Sequence, residues 1–284
     1  MRGVRLVVLA AVAGAAACGP DVAFERALSR ERKGSHLAAA GRFERFARRY
    51  PDHPRVPEAL VRAARIYAYA FQRCPQAQPL LEQAARSRPG GPWAREAERT
   101  LLDCPDYFPL RPGASWVFVD SQTGGKNMRL EVSAKEGPAP ERASAAGPAA
   151  EVESVFYAGK RKFQTVRRRY EKADWAVWEL EGRDRVPILR YPYQAGRAWS
   201  GRRGGKPVAF AIESAHERVQ VKAGIFQDCL KVRESQPGLG AWKFDYFAPG
   251  VGRVKTTIGG RGFENPNTEL ASADVPLPRA VGAP

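Results

Sequence analysis

Four cysteines and three histidines are the side chains of this 284-residue chain best suited to covalent or metal chemistry. The first cysteine, Cys18, ends a signal-like segment: Arg2 and Arg5 precede an apolar run over residues 6–12, and alanines at 15–17 lead to the cysteine. This order predicts a bacterial lipoprotein signal, in which Cys18 becomes the N-terminus and carries palmitate or a similar acyl chain. A plain secretory signal is the alternative; a membrane-spanning helix needs about 20 apolar residues.

The residue after Cys18 bears on the membrane to which the lipid would attach. It is Gly19, not aspartate, and by resemblance to the sorting rule of enteric bacteria this favours the outer membrane, facing the periplasm of a Gram-negative envelope. The net charge of +16 favours anionic partners such as phospholipid head groups or lipopolysaccharide. A lipid-anchored location argues against nucleic acid as a partner, and a dispersed, solvated charge is the alternative explanation.

Two later cysteines are placed to form a disulfide. Cys74 precedes the first helix of a predicted helical hairpin and Cys104 follows its partner helix, so the two ends would lie side by side. In an oxidising compartment the bond would add about 3 to 4 kcal/mol by constraining the unfolded chain; buried free thiols are the alternative. Neither cysteine has a second metal ligand nearby in sequence, so no metal site is expected. Cys229 is interpreted as a small apolar core residue.

The sequence lacks the patterns of common catalytic sites. It contains no Gly-x-Ser-x-Gly elbow, no His-Glu-x-x-His pair and no phosphate-binding loop. His216 has Glu213 and Glu217 close by on a predicted strand, but no nucleophile accompanies it, and a surface pair across strands explains it. We therefore predict a non-enzymatic protein with no catalytic residue, no cofactor and no metal.

The densest charge cluster is a candidate contact for an anionic surface. Arg167, Arg168 and Arg169 follow one another on a predicted strand, and Arg161 and Lys162 precede them next to a turn. Successive strand residues face opposite sides, so at most two of the three arginines share a face. The cluster could contact anionic lipid, or it could protect an edge strand from aggregation.

The N-terminal part of the chain is predicted to be helical, and its helices must position Cys74 and Cys104. Apolar residues three and four apart predict helix through residues 22–104, with one stripe over 39–50 and a second over 56–70. The turn Pro51-Asp52-His53-Pro54 separates the two stripes and makes them a hairpin. The hairpin recurs at an offset of 38 residues, as with Pro51 and Pro89. This repeat predicts a tetratricopeptide-like solenoid, with chance identity as the alternative.

The first hairpin also carries a family resemblance. The stretch from Phe46 to Leu60, with Tyr67 after it, contains a Tyr-Pro-x-x-Pro turn followed by Glu-Ala. It resembles the first repeat of BamD-type outer-membrane assembly lipoproteins, and the likeness extends over residues 35–104. The resemblance implies helical repeats that bind an envelope protein partner.

The pattern changes at residue 107. Eight short runs rich in β-branched and aromatic residues follow between Trp116 and Phe247, separated by glycine-containing turns. This spacing predicts an antiparallel meander over 107–260 that closes into a barrel, half-barrel or sandwich. Two segments echo each other at an offset of 83: Pro109-x-x-x-Gly113-x-x-Trp116 and Pro192-x-x-x-Gly196-x-x-Trp199. Each predicts a glycine turn and a tryptophan that plugs the sheet.

The second half resembles an uncharacterised domain of bacterial secreted proteins. Two motifs, over residues 221–232 and 246–255, carry the resemblance, which spans 107–258 and implies no activity. Residues 134–150, rich in Ala, Pro, Gly and Glu, predict a flexible loop. Residues 261–284, with four prolines, predict a disordered tail.

The sequence thus predicts an α+β protein of two domains, tetratricopeptide-like hairpins followed by an antiparallel β meander. The first functional hypothesis is an envelope lipoprotein that acts as a protein-interaction scaffold through its helices. The alternative is a carrier of lipid or another apolar ligand in a cavity of the β domain. An internal cavity lined by aromatic residues would favour the carrier. The oligomeric state is not predicted.

Overall fold

The computed structural model describes residues 19–137, 149–182 and 184–276. These residues form two compact units that divide between Arg88 and Pro89, rather than between residues 104 and 107. Cys18 and the rest of the signal segment lie outside the described residues, as do the middle of the 134–150 loop and the end of the tail. No described helix is long and apolar enough to cross a membrane.

Residues 19–88 form four helices. They are α1 (Pro20–Arg32), α2 (His36–Arg49), α3 (Val56–Arg65), which continues as a π-helical turn over Ile66–Ala70, and α4 (Cys74–Ser87). Each helix packs on the next one in the chain, with Phe24 of α1 in edge contact with Phe43 and Phe46 of α2. The predicted turn at 51–54 separates α2 from α3. The tetratricopeptide-like character of these hairpins stays a prediction.

The described residues of the second unit form one helix and a single antiparallel sheet. The helix is α5 (Pro92–Leu102), which packs against β4. The strands are β1 (Ser115–Asp120), β2 (Arg129–Glu136), β3 (Ala149–Ala158), β4 (Arg161–Ala173), β5 (Ala176–Glu181), β6 (Asp184–Arg190), β7 (Ala198–Arg203), β8 (Lys206–Val221), β9 (Gly224–Ser235), β10 (Ala241–Ala248), β11 (Gly252–Gly260) and β12 (Phe263–Asp274). The predicted meander is therefore confirmed.

The twelve described strands form a nearly closed barrel. Their order is β6-β5-β4-β3-β2-β1-β12-β11-β10-β9-β8-β7, so the first six strands form one meander, the last six form another, and β1 pairs with β12. The two edge strands approach each other, since Trp199 of β7 donates its indole N–H to the Pro187 carbonyl of β6. A Cβ at Gly201 would lie 2.9 Å from Pro187 Cδ, so glycine permits this close approach.

Both meanders start with the same glycine turn. Gly113 and Gly196 have φ values of +89° and +84°, which glycine adopts without strain. Gly113 N donates to the Ala134 carbonyl over 2.9 Å, and Gly196 N donates to the Ile212 carbonyl over 2.8 Å. The tryptophans that follow, Trp116 and Trp199, are both buried. The echo in the sequence therefore marks two equivalent opening turns, one at Gly113 and one at Gly196.

Two predicted irregular segments are partly strands. The prediction of a disordered tail over 261–284 is wrong for β12, which pairs with β1 on one side and β11 on the other. Most of its side chains are exposed, so the segment has little apolar content although its backbone pairs with β11 in its first half and with β1 in its second half. The predicted loop over 134–150 begins and ends inside β2 and β3, where Ala134 and Ala150 are buried.

Candidate ligand-binding site in the barrel

The interior of the barrel contains a cavity of about 320 Å³. Its lining includes aromatic residues, namely Phe108, Trp116, Phe118, Tyr170, Phe210 and Phe247. It also includes charged residues, namely Arg168, Glu179, Arg203, Glu234, Lys243, Asp245 and Arg253. Charged residues inside a small domain are costly to bury, so their presence around one space marks a candidate site.

The strand period of two directs these side chains inward. Arg168 and Tyr170 are two apart on β4, and Lys243, Asp245 and Phe247 are two apart on β10. Neighbouring strands place their partners directly opposite. Tyr170 faces Glu179 on β5, and Lys243 faces Glu234 on β9. The polar lining is therefore built from cross-strand pairs, the unit of side-chain interaction in a sheet.

Three carboxylates hold two of the cations closely. Glu179 accepts hydrogen bonds from the Tyr170 hydroxyl, over 2.8 Å, and from Arg203. Lys243 Nζ lies 2.8 Å from Glu234 Oε2 and 2.9 Å from Asp245 Oδ2. The side chain of Lys243 is 34% exposed, which reflects its position at the cavity wall. These pairs leave part of each cation facing the open space.

The other two cations, Arg168 and Arg253, are held loosely. Arg168 Nε is 3.8 Å from Glu179 Oε2, and this buried nitrogen has no hydrogen-bond partner among the described residues. Arg253 Nη1 is 3.9 Å from Asp245 Oδ1, and its guanidinium lies 5.0 Å from the centre of the Phe118 ring. Both arginines are close enough to Tyr170 to act on its pKa. The two guanidinium groups therefore approach one part of the cavity from β4 and β11.

The pKa shifts indicate which groups are charged. Burial acts to raise the pKa of Asp245, but Lys243, Arg253 and a hydrogen bond from Thr256 outweigh burial and hold it below its usual range. Burial acts to lower the pKa of Lys243, but Asp245 and Glu234 outweigh burial and raise it. Burial, with the nearby charge of Glu179, raises the pKa of Tyr170. At neutral pH Asp245 is therefore an ionised carboxylate, Lys243 a cation and Tyr170 a neutral phenol.

A second buried ionic cluster lies in the same unit outside the cavity. Lys172 Nζ contacts Asp103 Oδ1 at 2.6 Å and Asp106 Oδ1 at 2.7 Å, and Arg111 contacts Asp106 at 3.0 Å. The Lys172 side chain is 2% exposed. The cluster joins β4 to the segment between α5 and β1, and its closed contacts indicate a structural role.

The predicted anionic-surface cluster is divided by the sheet. Arg161 and Lys162 are exposed at the start of β4, and Arg167 is exposed with its Nε 2.8 Å from Glu153. Arg168 instead lines the cavity, and Arg169 is half-buried. The alternation of the strand thus turns Arg168 to the interior, and contact of the exposed members with an anionic surface stays a prediction.

The remaining sequence candidates occupy separate places. Cys74 and Cys104 are disulfide-bonded cysteines, although their pairing with each other stays a prediction. Cys229 is fully buried, and burial raises its thiol pKa to about 11. His216 is largely exposed, with Nδ1 3.2 Å from Asp228 instead of the two glutamates expected from sequence. Among the described residues, no group of three acidic, His or Cys side chains could hold a metal ion.

Comparisons with known proteins give structural similarities alone. No family model matches the chain, and no curated protein matches it. One similar structure is a "putative exported protein with YmcC-like fold" from Bacteroides fragilis, with 15% identity and a TM-score of 0.41 over 59% of this chain and 98% of that chain. Another is a "putative lipoprotein" from Parabacteroides distasonis, with 15% identity and a TM-score of 0.40 over the same shares.

Proposed function

We propose that the protein is a non-enzymatic, lipid-anchored protein of the cell envelope whose barrel binds a small anionic amphiphile. The observation that carries the proposal is the cavity of about 320 Å³ lined by both aromatic and charged residues. A scaffold that acts through its helices has no need of such a space. The cavity therefore places the carrier hypothesis ahead of the scaffold hypothesis.

The size and lining of the cavity define the ligand class. Small-molecule sites in proteins typically measure about 300 to 1,000 Å³ and combine apolar walls with a few polar groups, so this cavity suits a small ligand. An apolar chain would contact Phe118, Phe210 and Phe247, and a polar head would face the charged residues. A purely apolar ligand would leave Arg168 and Arg253 with only their long contacts to Glu179 and Asp245, at 3.8 and 3.9 Å.

The charges favour an anionic head group. Among the described residues, four cations and three carboxylates line the cavity, and the carboxylates next to Arg168 and Arg253 lie 3.8 and 3.9 Å away. A carboxylate or phosphate between them would accept charge-assisted hydrogen bonds from both guanidinium groups. The lipoprotein signal ending at Cys18 supplies the envelope location in this proposal.

Calorimetric titration of the unlipidated protein tests both parts of the proposal. The probes are decanoate and decyl phosphate, which carry an anionic head, and decanol, which shares the chain without the charge. We expect saturable binding of the anionic probes, with the tighter of the two identifying the preferred head group. Arg168→Gln and Arg253→Gln should each weaken that binding roughly tenfold or more and change decanol binding little.

Two further variants control for charge and for folding. Arg167→Gln removes an exposed charge next to Arg168 on the other face of β4 and should leave decanoate affinity unchanged, whereas Arg168→Lys should retain part of it. Absence of binding by all three probes would refute the carrier function. Equal decanoate binding by wild type, Arg168→Gln and Arg253→Gln would refute the anionic head group alone.

A further inference from the structure

A strongly basic groove lies between α1 and α2, outside the barrel. Two adjoining depressions of about 230 and 310 Å³ share Arg26 and Arg42. The six cations that line them are Arg26, Arg30 and Lys33 from α1 and its C-terminal end, and Arg42, Arg45 and Arg49 from α2. Spacings of three, four and seven residues place each set on one helix face.

The carboxylates of the two helices lie on other faces. Glu25 pairs with Arg55 at 3.0 Å and Glu31 pairs with Arg62 at 2.9 Å. Asp21 lies 3.6 Å from His53. None of the described residues that line the groove is acidic. Arg42, Arg45 and Arg49 are like charges at helical spacing, which destabilise each other, so an anionic surface placed against the groove would relieve this repulsion.

The position of the groove in the chain identifies that surface. Helix α1 begins at Pro20, two residues after Cys18, and two residues span at most about 7 Å. We propose that the groove binds the anionic head groups of the membrane that holds the lipid on Cys18. This inference rests on the envelope location in the proposed function but not on the cavity.

Vesicle co-sedimentation of the unlipidated chain tests the groove without the anchor. The probes are vesicles of phosphatidylcholine and vesicles that contain one-third phosphatidylglycerol. We expect binding to the anionic vesicles only, weakened by added salt. The triple variant Arg42→Gln, Arg45→Gln, Arg49→Gln should bind about a hundredfold more weakly, since each basic residue near an anionic leaflet contributes about fivefold.

The control removes three exposed arginines elsewhere: Arg48→Gln, Arg86→Gln, Arg167→Gln. It should lose several-fold affinity at most. If the groove triple variant fails to fold by circular dichroism, Arg45→Gln with Arg49→Gln, both exposed, replaces it and should lose about twenty-five-fold. Wild-type binding to phosphatidylcholine alone, or an equal loss in the control, would overturn the proposal. So would tighter binding to a DNA duplex that the groove variant abolishes.

Discussion

Single charged residues inside the second unit depend on their partners, and Lys172 shows this most simply. Its ammonium group is buried between two aspartates, so removal of the cation takes a buried contact from Asp103 and leaves Asp106 paired with Arg111. We predict that Lys172→Met lowers the free energy of unfolding by about 3 to 5 kcal/mol. Urea denaturation measures the change, with the exposed Lys135→Met as control. An equal effect of both substitutions would contradict the structural role of the cluster.

Asp245 makes the stability of the folded protein depend on pH. Its pKa is lower in the folded protein than in the unfolded chain, so the folded state binds fewer protons in acid. The stability that this carboxylate contributes is therefore present above about pH 4 and is lost as the pH falls further. Urea denaturation at pH 6 and pH 3 should show a smaller loss of stability for Asp245→Asn than for wild type. Equal losses in both proteins would count against this assignment.

The glycine turns that open the two meanders, at Gly113 and Gly196, can be tested through the tryptophans that follow them. Trp116 and Trp199 are buried at equivalent positions of the two meanders. We predict that Trp116→Ala and Trp199→Ala each lower the free energy of unfolding by about 3 to 5 kcal/mol. Ile225→Ala, at a residue 50% exposed in the same unit, should have little effect. A large effect of only one tryptophan substitution would show that the two opening turns are not equivalent.

The same elements show how far the sequence predicts the fold. The 83-residue offset predicted both opening turns because glycine turns and plugging tryptophans are local features. The charged lining of the cavity could not be predicted from such local features. On β10, Phe244 and Tyr246 alternate with Lys243 and Asp245 and are themselves buried, so the period of two does not tell which face is interior. That choice depends on how the sheet closes, which brings together strands distant in sequence.

Pairing between strands distant in sequence also explains why the prediction of a disordered tail was wrong for β12. The low apolar content of residues 261–284 predicted disorder. However, β12, the last strand in sequence, obtains backbone partners from β1, the first strand in sequence. Buried Leu270 is the main local sign of this strand. The position of β12 in the sheet therefore determines its structure more than its amino-acid composition does.

At the scale of the whole molecule, the location depends on Cys18. We predict that Cys18→Ser yields a soluble or uncleaved protein, because the proposed lipid would be attached to that sulfur. Membrane fractionation with labelled palmitate measures the change. If wild type and variant fractionate identically and neither incorporates palmitate, the lipid anchor is excluded.

If the barrel cavity is a binding site, a side chain that fills the cavity should abolish ligand binding. Ser154 lines the cavity wall, so Ser154→Trp should occupy part of the space while leaving the charged pairs in place. Decanoate titration of wild type and of this variant, compared at unchanged melting temperature, is the measurement. We expect one saturable decanoate site per chain in wild type and none in the variant. No saturable site in wild type, or equal binding in both proteins, would contradict it.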